Sequence, residues 1–259
     1  MSHGLRLTCV LAHPDDETLG TGGILARYGD EGVETSLITA TRGDAGRYRT
    51  PDTPHPGREA LGRIREKELR AAADVLGVRD VSILGYPDGE LDQVDAPDAV
   101  SRIAAHLRRL RPHVVVTFDP FGSYGHPDHI AVSQLATAAC MAAEPHAVSK
   151  LYYMAWDPEL AEAYQTAFKR LTSTVDGVVR EASPWPEWSI TTRVDAGDHW
   201  RRVWEAVACH ESQMAVYGPL EELNEDVHRV LWGRQSFYRA FSTVNGGRER
   251  ESDLFEGLR

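Results

Sequence analysis

The sequence has 259 residues, 42% of them hydrophobic and 26% charged, and its formal charge is −11. A chain of this length and composition can bury a sizeable core, so we expect a folded globular protein rather than a disordered one. The acidic balance excludes nucleic acid or an anionic membrane surface as the main partner, because both require a basic face.

The first half of the chain alternates between short apolar runs and amphipathic segments. The predicted strands cover residues 5–12, 33–39, 81–84 and 114–118. The predicted helices cover residues 18–31, residues 58–76, a segment with its apolar stripe at Val100, Ile103, Leu107 and Leu110, and residues 128–142. Four strand–helix units in a row predict an α/β fold, a Rossmann-like, doubly wound and mostly parallel sheet with helices on both faces.

One connection breaks this alternation. Residues 41–57 contain three glycines and three prolines and show no hydrophobic periodicity. Connections of this length in a compact domain are usually functional, so we expect a binding loop or lid, with a disordered insertion as the alternative.

The pattern changes after residue 150. We predict strands at 151–155 and 189–194, helices at 158–170 and 200–209, and a charged, frayed segment over the last dozen residues. No linker or repeat separates the two halves. The expected organisation is therefore a single α/β domain over residues 1–259. Its Rossmann-like core would be residues 1–150, and a C-terminal extension, residues 151–245, would add strands and helices and form part of a substrate pocket.

The three cysteines, Cys9, Cys140 and Cys209, have no C-x-x-C spacing. Their odd number and spacing predict reduced, buried thiols rather than a disulfide framework or a thiolate metal site. The first residues lack the basic and apolar regions of a signal peptide, and no run approaches the roughly 18 apolar residues of a membrane span. We therefore expect a cytoplasmic protein without a membrane span.

Two clusters of metal-ligand residue types each follow a predicted strand. HPDDE occupies residues 13–17, after the first strand, and HPDH occupies residues 126–129, after the fourth. In a doubly wound sheet of order 3-2-1-4, strands 1 and 4 are neighbours at the point where ligands bind. The topology therefore predicts that the two clusters meet. Each aspartate alone could be a helix N-cap, but carboxylates crowded at one place repel one another unless a cation is present.

This combination of residue types indicates a catalytic metal site. Two histidines and one aspartate suit Zn²⁺ with open coordination positions, and the same set suits Fe(II), so the pattern leaves the divalent metal open. A further carboxylate beside the ligands can act as general base toward a metal-activated water. A remaining histidine can stabilise the oxyanion that develops on the substrate.

Together, AHPDDE at residues 12–17 and HPDH at residues 126–129 resemble the motifs of the PIG-L/LmbE-like metal-dependent N-deacetylases. The similarity extends from residue 5 to about residue 213. These enzymes include the deacetylases of mycothiol and bacillithiol biosynthesis, and they remove acetyl groups from N-acetylglucosamine-containing substrates. The resemblance implies a metal-dependent amidohydrolase, with Zn²⁺ as the expected cofactor and Fe²⁺ or another divalent metal as the alternative.

The resemblance also assigns roles, residue by residue. The implied metal ligands are His13, Asp16 and His129. Asp15 would be the general base that takes a proton from water and then protonates the leaving amine. His126 would be the acid that stabilises the oxyanion, with Asp128 as its partner.

Further positions match residues that approach the substrate in this family. Tyr124 matches a tyrosine that contacts the substrate carbonyl oxygen in some members. Arg65 and Asp88 match residues that face the sugar and its substituent, and Arg47 belongs to a matching loop, so these three are the substrate-binding candidates. The structural alternatives are a buried aromatic for Tyr124, a solvated helix charge for Arg65 and a turn residue for Asp88. The segment HESQ at residues 210–213 also matches, without an assigned role.

The expected function is hydrolysis of the N-acetyl group of an N-acetylglucosamine-containing small molecule, with release of acetate. The first alternative is an amidase of the same fold that cleaves a larger acyl group, such as that of a thiol S-conjugate. The second is a non-catalytic sugar- or nucleotide-binding module, which predicts a glycine-rich phosphate loop where this chain has HPDDE. The expected partner is a small amino-sugar substrate, and the sequence is compatible with a homo-oligomer.

Overall fold

The computed structural model describes residues 4–50, 52–143, 148–168, 172–175, 177–247 and 249–259. The strands are β1 (Arg6–Leu11), β2 (Glu34–Thr41), β3 (Asp80–Tyr86), β4 (Val114–Thr117), β5 (Lys150–Met154), β6 (Thr172–Val175), β7 (Val178–Glu181), β8 (Thr192–Asp195) and β9 (Arg234–Ser242). The helices are α1 (Asp16–Asp30), α2 (Arg58–Leu76), α3 (Ala96–Leu110), α4 (Gly122–Gly125), α5 (Pro127–Ala142), α6 (Pro158–Phe168), α7 (Trp200–Ala208), α8 (Met214–Tyr217) and α9 (Glu225–His228).

The central sheet has seven strands in the order β3-β2-β1-β4-β5-β9-β8. The strands from β3 to β5 are parallel, and β9 pairs antiparallel with both β5 and β8. The predicted order of the first four strands and the mostly parallel α/β sheet are confirmed. All four residues of β4 are buried, because helices cover both faces of a parallel sheet and its strands are apolar throughout.

Five of the described helices form two groups. One group contains α1, α2 and α7, and the other contains α3 and α5. Right-handed crossovers between parallel strands place these groups on opposite faces of the sheet. A glycine is needed where α1 meets the later part of the chain, since a Cβ at Gly23 would lie 2.5 Å from the Trp232 carbonyl oxygen. β1 and β4 are parallel neighbours in the sheet, so their carboxyl ends lie side by side at one edge of it.

The second half of the chain contains strands that the sequence did not predict. The predicted fifth strand and both predicted helices are present, although α6 ends at Phe168 and residues 169–170 of that prediction lie outside the described residues. β8 begins at Thr192 rather than at residue 189, because Glu187–Ser189 form a 3-10 turn. The hairpin of β6 and β7 and the long strand β9 were missed. β9 was missed because polar and partly exposed positions interrupt its apolar pattern.

The prediction of a frayed end was wrong. Leu254 and Phe255 are fully buried, and the Phe255 ring packs edge-on against Tyr28 of α1 with centroids 5.1 Å apart. Glu251 is also buried, and its carboxylate accepts hydrogen bonds from Lys150 Nζ at 2.7 Å and from the Tyr152 hydroxyl at 2.7 Å. The charged composition misled the prediction, because this buried carboxylate has cationic and hydroxyl partners within the core.

Glu251→Gln should lower the free energy of unfolding by roughly 3–5 kcal/mol, the usual effect of removing one partner of a buried ion pair. The Lys150 ammonium and the Arg239 guanidinium both lie 2.7 Å from Glu251 and would lose their counter-charge. Burial alone would raise the pKa of Glu251, but hydrogen bonds from Lys150, Thr192, Tyr152 and Asn245 lower it to about 2. A carboxyl group with a lowered pKa in the folded state stabilises the fold at pH values above its pKa in the unfolded chain. That stabilisation is lost as the pH falls toward 2.

The measurement is urea unfolding of both proteins across this pH range. The difference between wild type and variant should be largest above about pH 5 and should narrow on acidification. The control is Glu249→Gln, since Glu249 is exposed in the same segment. Equal stability of Glu251→Gln and wild type at pH 7 would contradict the ion-pair account.

The cysteines were expected to be buried, which is confirmed for two of the three. Cys9 and Cys140 are buried, Cys209 is half-buried, and all three are free thiols. Burial raises the pKa of both Cys9 and Cys140 to about 12, so these thiols stay protonated. Within the described ranges, no helix has both the length and the hydrophobicity that crossing a membrane requires.

Candidate active site

The turn after β1 holds Asp15 in a strained backbone conformation. Asp15 has φ 101°, a left-handed geometry that is uncommon for residues other than glycine. The Glu17 carboxylate stabilises this turn, because its Oε2 accepts a hydrogen bond from the Asp15 backbone N–H at 2.9 Å. Strain of this kind persists only where surrounding contacts impose it, and it is concentrated at functional sites. The turn therefore fixes where the Asp15 side chain lies.

Glu17 is itself held by a residue from the second half of the chain. His210 Nε2 lies 2.7 Å from Glu17 Oε1, and both side chains are fully buried. Burial lowers the pKa of His210, but the Glu17 carboxylate outweighs it and raises the pKa above its usual value. The sequence reading left the role of residues 210–213 open and did not single out Glu17. The structure shows that His210 supports the turn that carries Asp15.

The second motif lies beside the first, as the topology predicted. The His13 ring centroid is 4.9 Å from that of His126 and 5.2 Å from that of His129. Phe118, just after β4, stacks on the His129 ring at 3.9 Å and fixes its orientation. His126 caps α5, because its Nδ1 accepts a hydrogen bond from the Asp128 backbone N–H at 3.2 Å. The convergence of the HPDDE and HPDH clusters is confirmed.

Three buried side chains of these motifs form a set that could hold a metal ion. The ligand atoms of His13, Asp16 and His129 all lie within 4.8 Å of one another. His13 Nδ1 is 3.3 Å from His129 Nε2 and 3.6 Å from Asp16 Oδ2, while Asp16 Oδ1 is 3.5 Å from His129 Nε2. Burial lowers the pKa of His129 to about 3, which keeps its imidazole in the neutral form that a metal requires.

The remaining nitrogen of His13 has two carboxylate partners. Asp128 Oδ2 lies 3.0 Å and Asp88 Oδ1 lies 3.1 Å from His13 Nε2. Burial lowers the pKa of His13, but hydrogen bonds to Asp128, Asp16 and Asp88 outweigh it and raise that pKa well above the usual value. With the Nε2 proton held by these carboxylates, a cation that displaces the Nδ1 proton would complete an arrangement typical of metal-binding histidines with a carboxylate behind them. The chemistry of the donor set therefore fits a divalent cation.

Asp128 contacts other groups than the sequence reading expected. Its side chain accepts hydrogen bonds from the backbone N–H groups of Gly89 at 2.8 Å and Leu91 at 3.0 Å, as well as contacting His13. Its hydrogen bond to His126 runs through the Asp128 backbone N–H rather than through the carboxylate. Asp128 thus ties the metal-ligand candidate His13 to the loop after β3.

His126 and Tyr124 border the same cavity as the metal-ligand set. Burial and the nearby His13 lower the pKa of His126, although Asp128 and Asp16 act in the opposite direction. Because Nδ1 accepts the Asp128 N–H, the proton of a neutral His126 lies on Nε2, where it can be donated. The Tyr124 ring lies 5.4 Å from that of His129, and burial raises the pKa of its phenol, which stays protonated.

The Asp15 carboxylate is held by two donors. Arg65 Nη2 donates to Asp15 Oδ2 at 2.7 Å, and the Tyr217 hydroxyl donates to the same oxygen at 2.8 Å. Burial raises the pKa of the Asp15 carboxyl, and so does the neighbouring Asp16 carboxylate, whereas the Arg65 guanidinium lowers it. The net effect is a raised pKa. Arg65 is 4% exposed, so it is not a solvated helix charge. The sequence reading did not single out Tyr217.

The cavity around these groups has a volume of about 470 Å³ and two chemically different walls. The polar wall, from the segments after β2 and β3 and from α2, includes Arg47, Arg65 and Asp88. The apolar wall, mainly from α1, β5 and α6, includes Leu19, Met154, Trp156, Tyr164 and Phe168. Trp156 and Tyr164 are stacked with centroids 4.3 Å apart, and Tyr164 and Phe168 are stacked at 5.6 Å. The second half of the chain therefore supplies part of the cavity.

The loop predicted as a binding loop or lid borders the cavity and is tied to its surroundings. Its residues Ala45, Gly46 and Arg47 line the cavity, and residue 51 lies outside the described part. The Ala45 N–H donates to Asp88 Oδ2 at 2.8 Å, and Gln213 Nε2 donates to the Arg47 carbonyl at 2.8 Å. Residues 210–213 thus brace both the Asp15 turn and this loop.

Comparisons with known proteins identify a family and several relatives. A family model described as "PIG-L: GlcNAc-PI de-N-acetylase" matches residues 8–140. A 1D-myo-inositol 2-acetamido-2-deoxy-alpha-D-glucopyranoside deacetylase from Streptomyces griseus is 36% identical over 289 residues, covering 98% of this chain and 89% of the relative. A deacetylase of the same name from Nocardioides sp. is 32% identical over 304 residues and covers 100% of both chains.

Solved structures share the fold at lower sequence identity. The N,N'-diacetylchitobiose deacetylase of Pyrococcus horikoshii has a TM-score of 0.64 at 20% identity, covering 90% of this chain and 83% of that one. A 4-carboxy-2-hydroxymuconate hydratase from Pseudomonas putida has a TM-score of 0.62 at 19% identity, covering 94% and 99%. Since a deacetylase and a hydratase share it, the fold alone does not fix the reaction. On the family match over half of its length, and on relatives above 30% identity along nearly all of it, this chain belongs to the PIG-L family of GlcNAc-PI de-N-acetylases.

Proposed function

We propose that this protein hydrolyses the N-acetyl group of a 2-acetamido-2-deoxyglucopyranoside, using Asp15 as general base and acid beside a cation held by His13, Asp16 and His129. One observation carries the proposal. A donor set suited to a divalent cation and a carboxylate held by two donors border the same cavity. When bound, a divalent cation supplies positive charge that polarises the amide and makes water a stronger nucleophile. We propose Zn²⁺, since two histidines and one carboxylate suit it.

The protein's own groups would do the remaining work. Asp15 takes a proton from the attacking water and later gives it to the leaving nitrogen. The His126 Nε2–H and the Tyr124 hydroxyl donate to the oxygen on which negative charge develops. Asp88 and Asp128 orient the His13 ring through Nε2. Arg47, on the polar wall, is exposed and free to meet sugar hydroxyls.

The relatives above 30% identity are named as deacetylases of an inositol glucosaminide, which supports an amino-sugar substrate of this class. The experiment measures free-amine release from a panel of N-acetylglucosaminides that differ in the group attached at the anomeric carbon. Acetate and free amine should appear in equal amounts for at least one member. No release from any member by protein with one equivalent of bound metal would contradict the proposal.

The apolar wall favours a second candidate, an amidase that removes a longer N-acyl group. Its side chains are uncharged, and three of them are stacked aromatic rings, so burial of a hydrocarbon chain against this wall would be favourable. This candidate predicts that kcat/KM rises about fourfold for each methylene from N-acetyl to N-hexanoyl glucosamine, the usual gain for burying a methylene.

The same acyl series separates the two candidates. A site specific for acetyl predicts a fall in kcat/KM beyond two carbons. A control series keeps the N-acetyl group and lengthens an alkyl chain at the anomeric carbon. A gain in the control series alone would assign the apolar wall to the group on the sugar and contradict the second candidate.

The proposal extends to the domain organisation, the location and the oligomeric state of the protein. We propose that the chain acts as one domain, because one cluster of buried apolar residues and one cavity both include residues from its two halves. The three free thiols, two of which are buried, support a cytoplasmic location. A homo-oligomer stays a prediction, which measurement of the molar mass in solution would test.

A further inference from the structure

The phenol of Tyr217 contacts the carboxylate that the proposed function assigns as general base. Tyr217 ends α8, is 8% exposed, and donates from its hydroxyl to Asp15 Oδ2 at 2.8 Å. Burial and the nearby Asp15 carboxylate raise its pKa well above the usual value, so the phenol keeps its proton and acts as the donor.

Two donors therefore share one oxygen of Asp15. Arg65 Nη2 also donates to Oδ2, at 2.7 Å, and its Nη1 is fixed by the Gly43 carbonyl at 2.9 Å. A carboxylate oxygen has two lone pairs, so these two hydrogen bonds occupy Oδ2. Among the described residues, none donates to Oδ1, and the Asp15 side chain lines the cavity. The two oxygens are chemically distinct, and Oδ1 is the one available to a reactant.

We propose that Tyr217 is a positioning residue of the hydrolysis, because its hydrogen bond to Oδ2 leaves Oδ1 as the oxygen of Asp15 that carries the proton. The inference rests on the proposed function of Asp15 as general base. Arg65 alone holds the carboxylate from one side. The phenol adds a second fixed point, and rotation of the carboxylate would then break two charge-assisted hydrogen bonds.

Asp15 Oδ1 carries one proton from the attacking water to the leaving nitrogen during hydrolysis of the amide. The water oxygen bonds to the amide carbon while one water proton moves to Asp15 Oδ1. The carbon–nitrogen bond then breaks, its electron pair goes to nitrogen, and the proton on Oδ1 moves to that nitrogen to give the amine. The second water proton leaves with the carboxylic acid, which ionises to acetate in solution. Asp15 ends as a carboxylate, ready for the next turnover.

The position of the phenol depends on contacts from three helices. α8 follows residues 210–213, where His210 binds Glu17 of α1 and the Ser212 hydroxyl donates to Glu68 of α2 at 2.7 Å. Phe168 of α6 meets the Tyr217 ring edge-on, with centroids 6.2 Å apart. These contacts hold the ring in place without help from its hydroxyl, so removal of the hydroxyl alone is a clean test.

The test is Tyr217→Phe, measured with the metal-loaded enzyme on a substrate that wild type deacetylates. We expect kcat to fall about 10- to 100-fold, as for loss of one hydrogen bond to a charged group, with KM within about twofold. The matched control is Tyr28→Phe, which removes a buried hydroxyl that donates to Asp253 Oδ1 at 2.9 Å, away from the cavity, and should leave kcat unchanged.

A second measurement separates positioning from general support of the fold. In the Asp15→Asn background, assayed at high enzyme concentration, Tyr217→Phe should change the residual rate by less than about twofold, because it acts through Asp15. An unchanged kcat in the single variant, or an equal loss in both backgrounds, would overturn the inference while leaving the deacetylase proposal intact. Absence of amine release by wild type would instead overturn the proposed function.

Discussion

Replacing Asp15 with asparagine is expected to lower kcat by about 10² to 10⁴, the range that general acid–base catalysis contributes. Asparagine keeps the size of the side chain and an oxygen that can accept from Arg65 Nη2 and the Tyr217 hydroxyl. It cannot take a proton from water, so both proton transfers of the proposed reaction are lost. The fold should persist, because the strained Asp15 turn is held through its backbone N–H by Glu17.

The measurement is free-amine release on the best substrate of the panel, together with the metal content of each protein. The control is Asp30→Asn, an exposed carboxylate near the other end of α1 that pairs with Arg202. This control should retain wild-type kcat. A kcat for Asp15→Asn within about tenfold of wild type, with equal metal content, would refute Asp15 as the base.

Removal of the divalent cation is expected to abolish activity and to lower the unfolding temperature. The carboxylates of Asp16, Asp88 and Asp128 surround His13 in a buried cluster, where like charges repel one another unless a cation is present. A cation that binds only the folded state adds about 2.7 kcal/mol of stability at a free concentration of 100 times its Kd. Chelation should therefore destabilise the fold as well as stop turnover.

The matching variant is His129→Gln, which removes one of the three candidate ligands. We expect its metal content by mass spectrometry to fall well below one equivalent and its unfolding temperature to become insensitive to chelator. His199→Gln is the control, because His199 pairs with Asp30 on the surface, outside the candidate ligand set. Full metal content in His129→Gln would contradict the assignment of the ligand set. Measuring Zn²⁺ and Fe²⁺ in the same samples tests the choice of metal.

Local sequence patterns were sufficient for the core of the fold and for the meeting of the two motifs. β1 and β4 are short apolar runs buried on both faces, and their order in the sheet follows from regular alternation with helices. Since each motif directly follows one of these strands, the position of His13 beside His126 and His129 is a consequence of topology. That step needed only the order of the elements and the general strand order of doubly wound sheets.

Contacts between distant residues could not be predicted in this way. Glu17 resembles an ordinary acid in the first turn of a helix, and nothing local indicates that it binds His210. Arg65 and Asp88 were selected through the family resemblance, but their hydrogen bonds to Asp15 and His13 are visible only in three dimensions. The buried end of the chain was missed for the same reason, since the partners of Glu251 lie far away in sequence.

The position of β9 in the sheet has a consequence for synthesis on the ribosome. β5 lies between β4 and β9, and the whole stretch from Ala155 to Gly233 must be made before β9 (Arg234–Ser242) emerges. Until then, β5 has a free edge, and four of its five residues, which are buried in the finished protein, lack their covering strand. Free apolar strand edges promote pairing between chains. A nascent chain paused within this stretch would therefore be prone to aggregate, and chaperone binding during translation should be concentrated there.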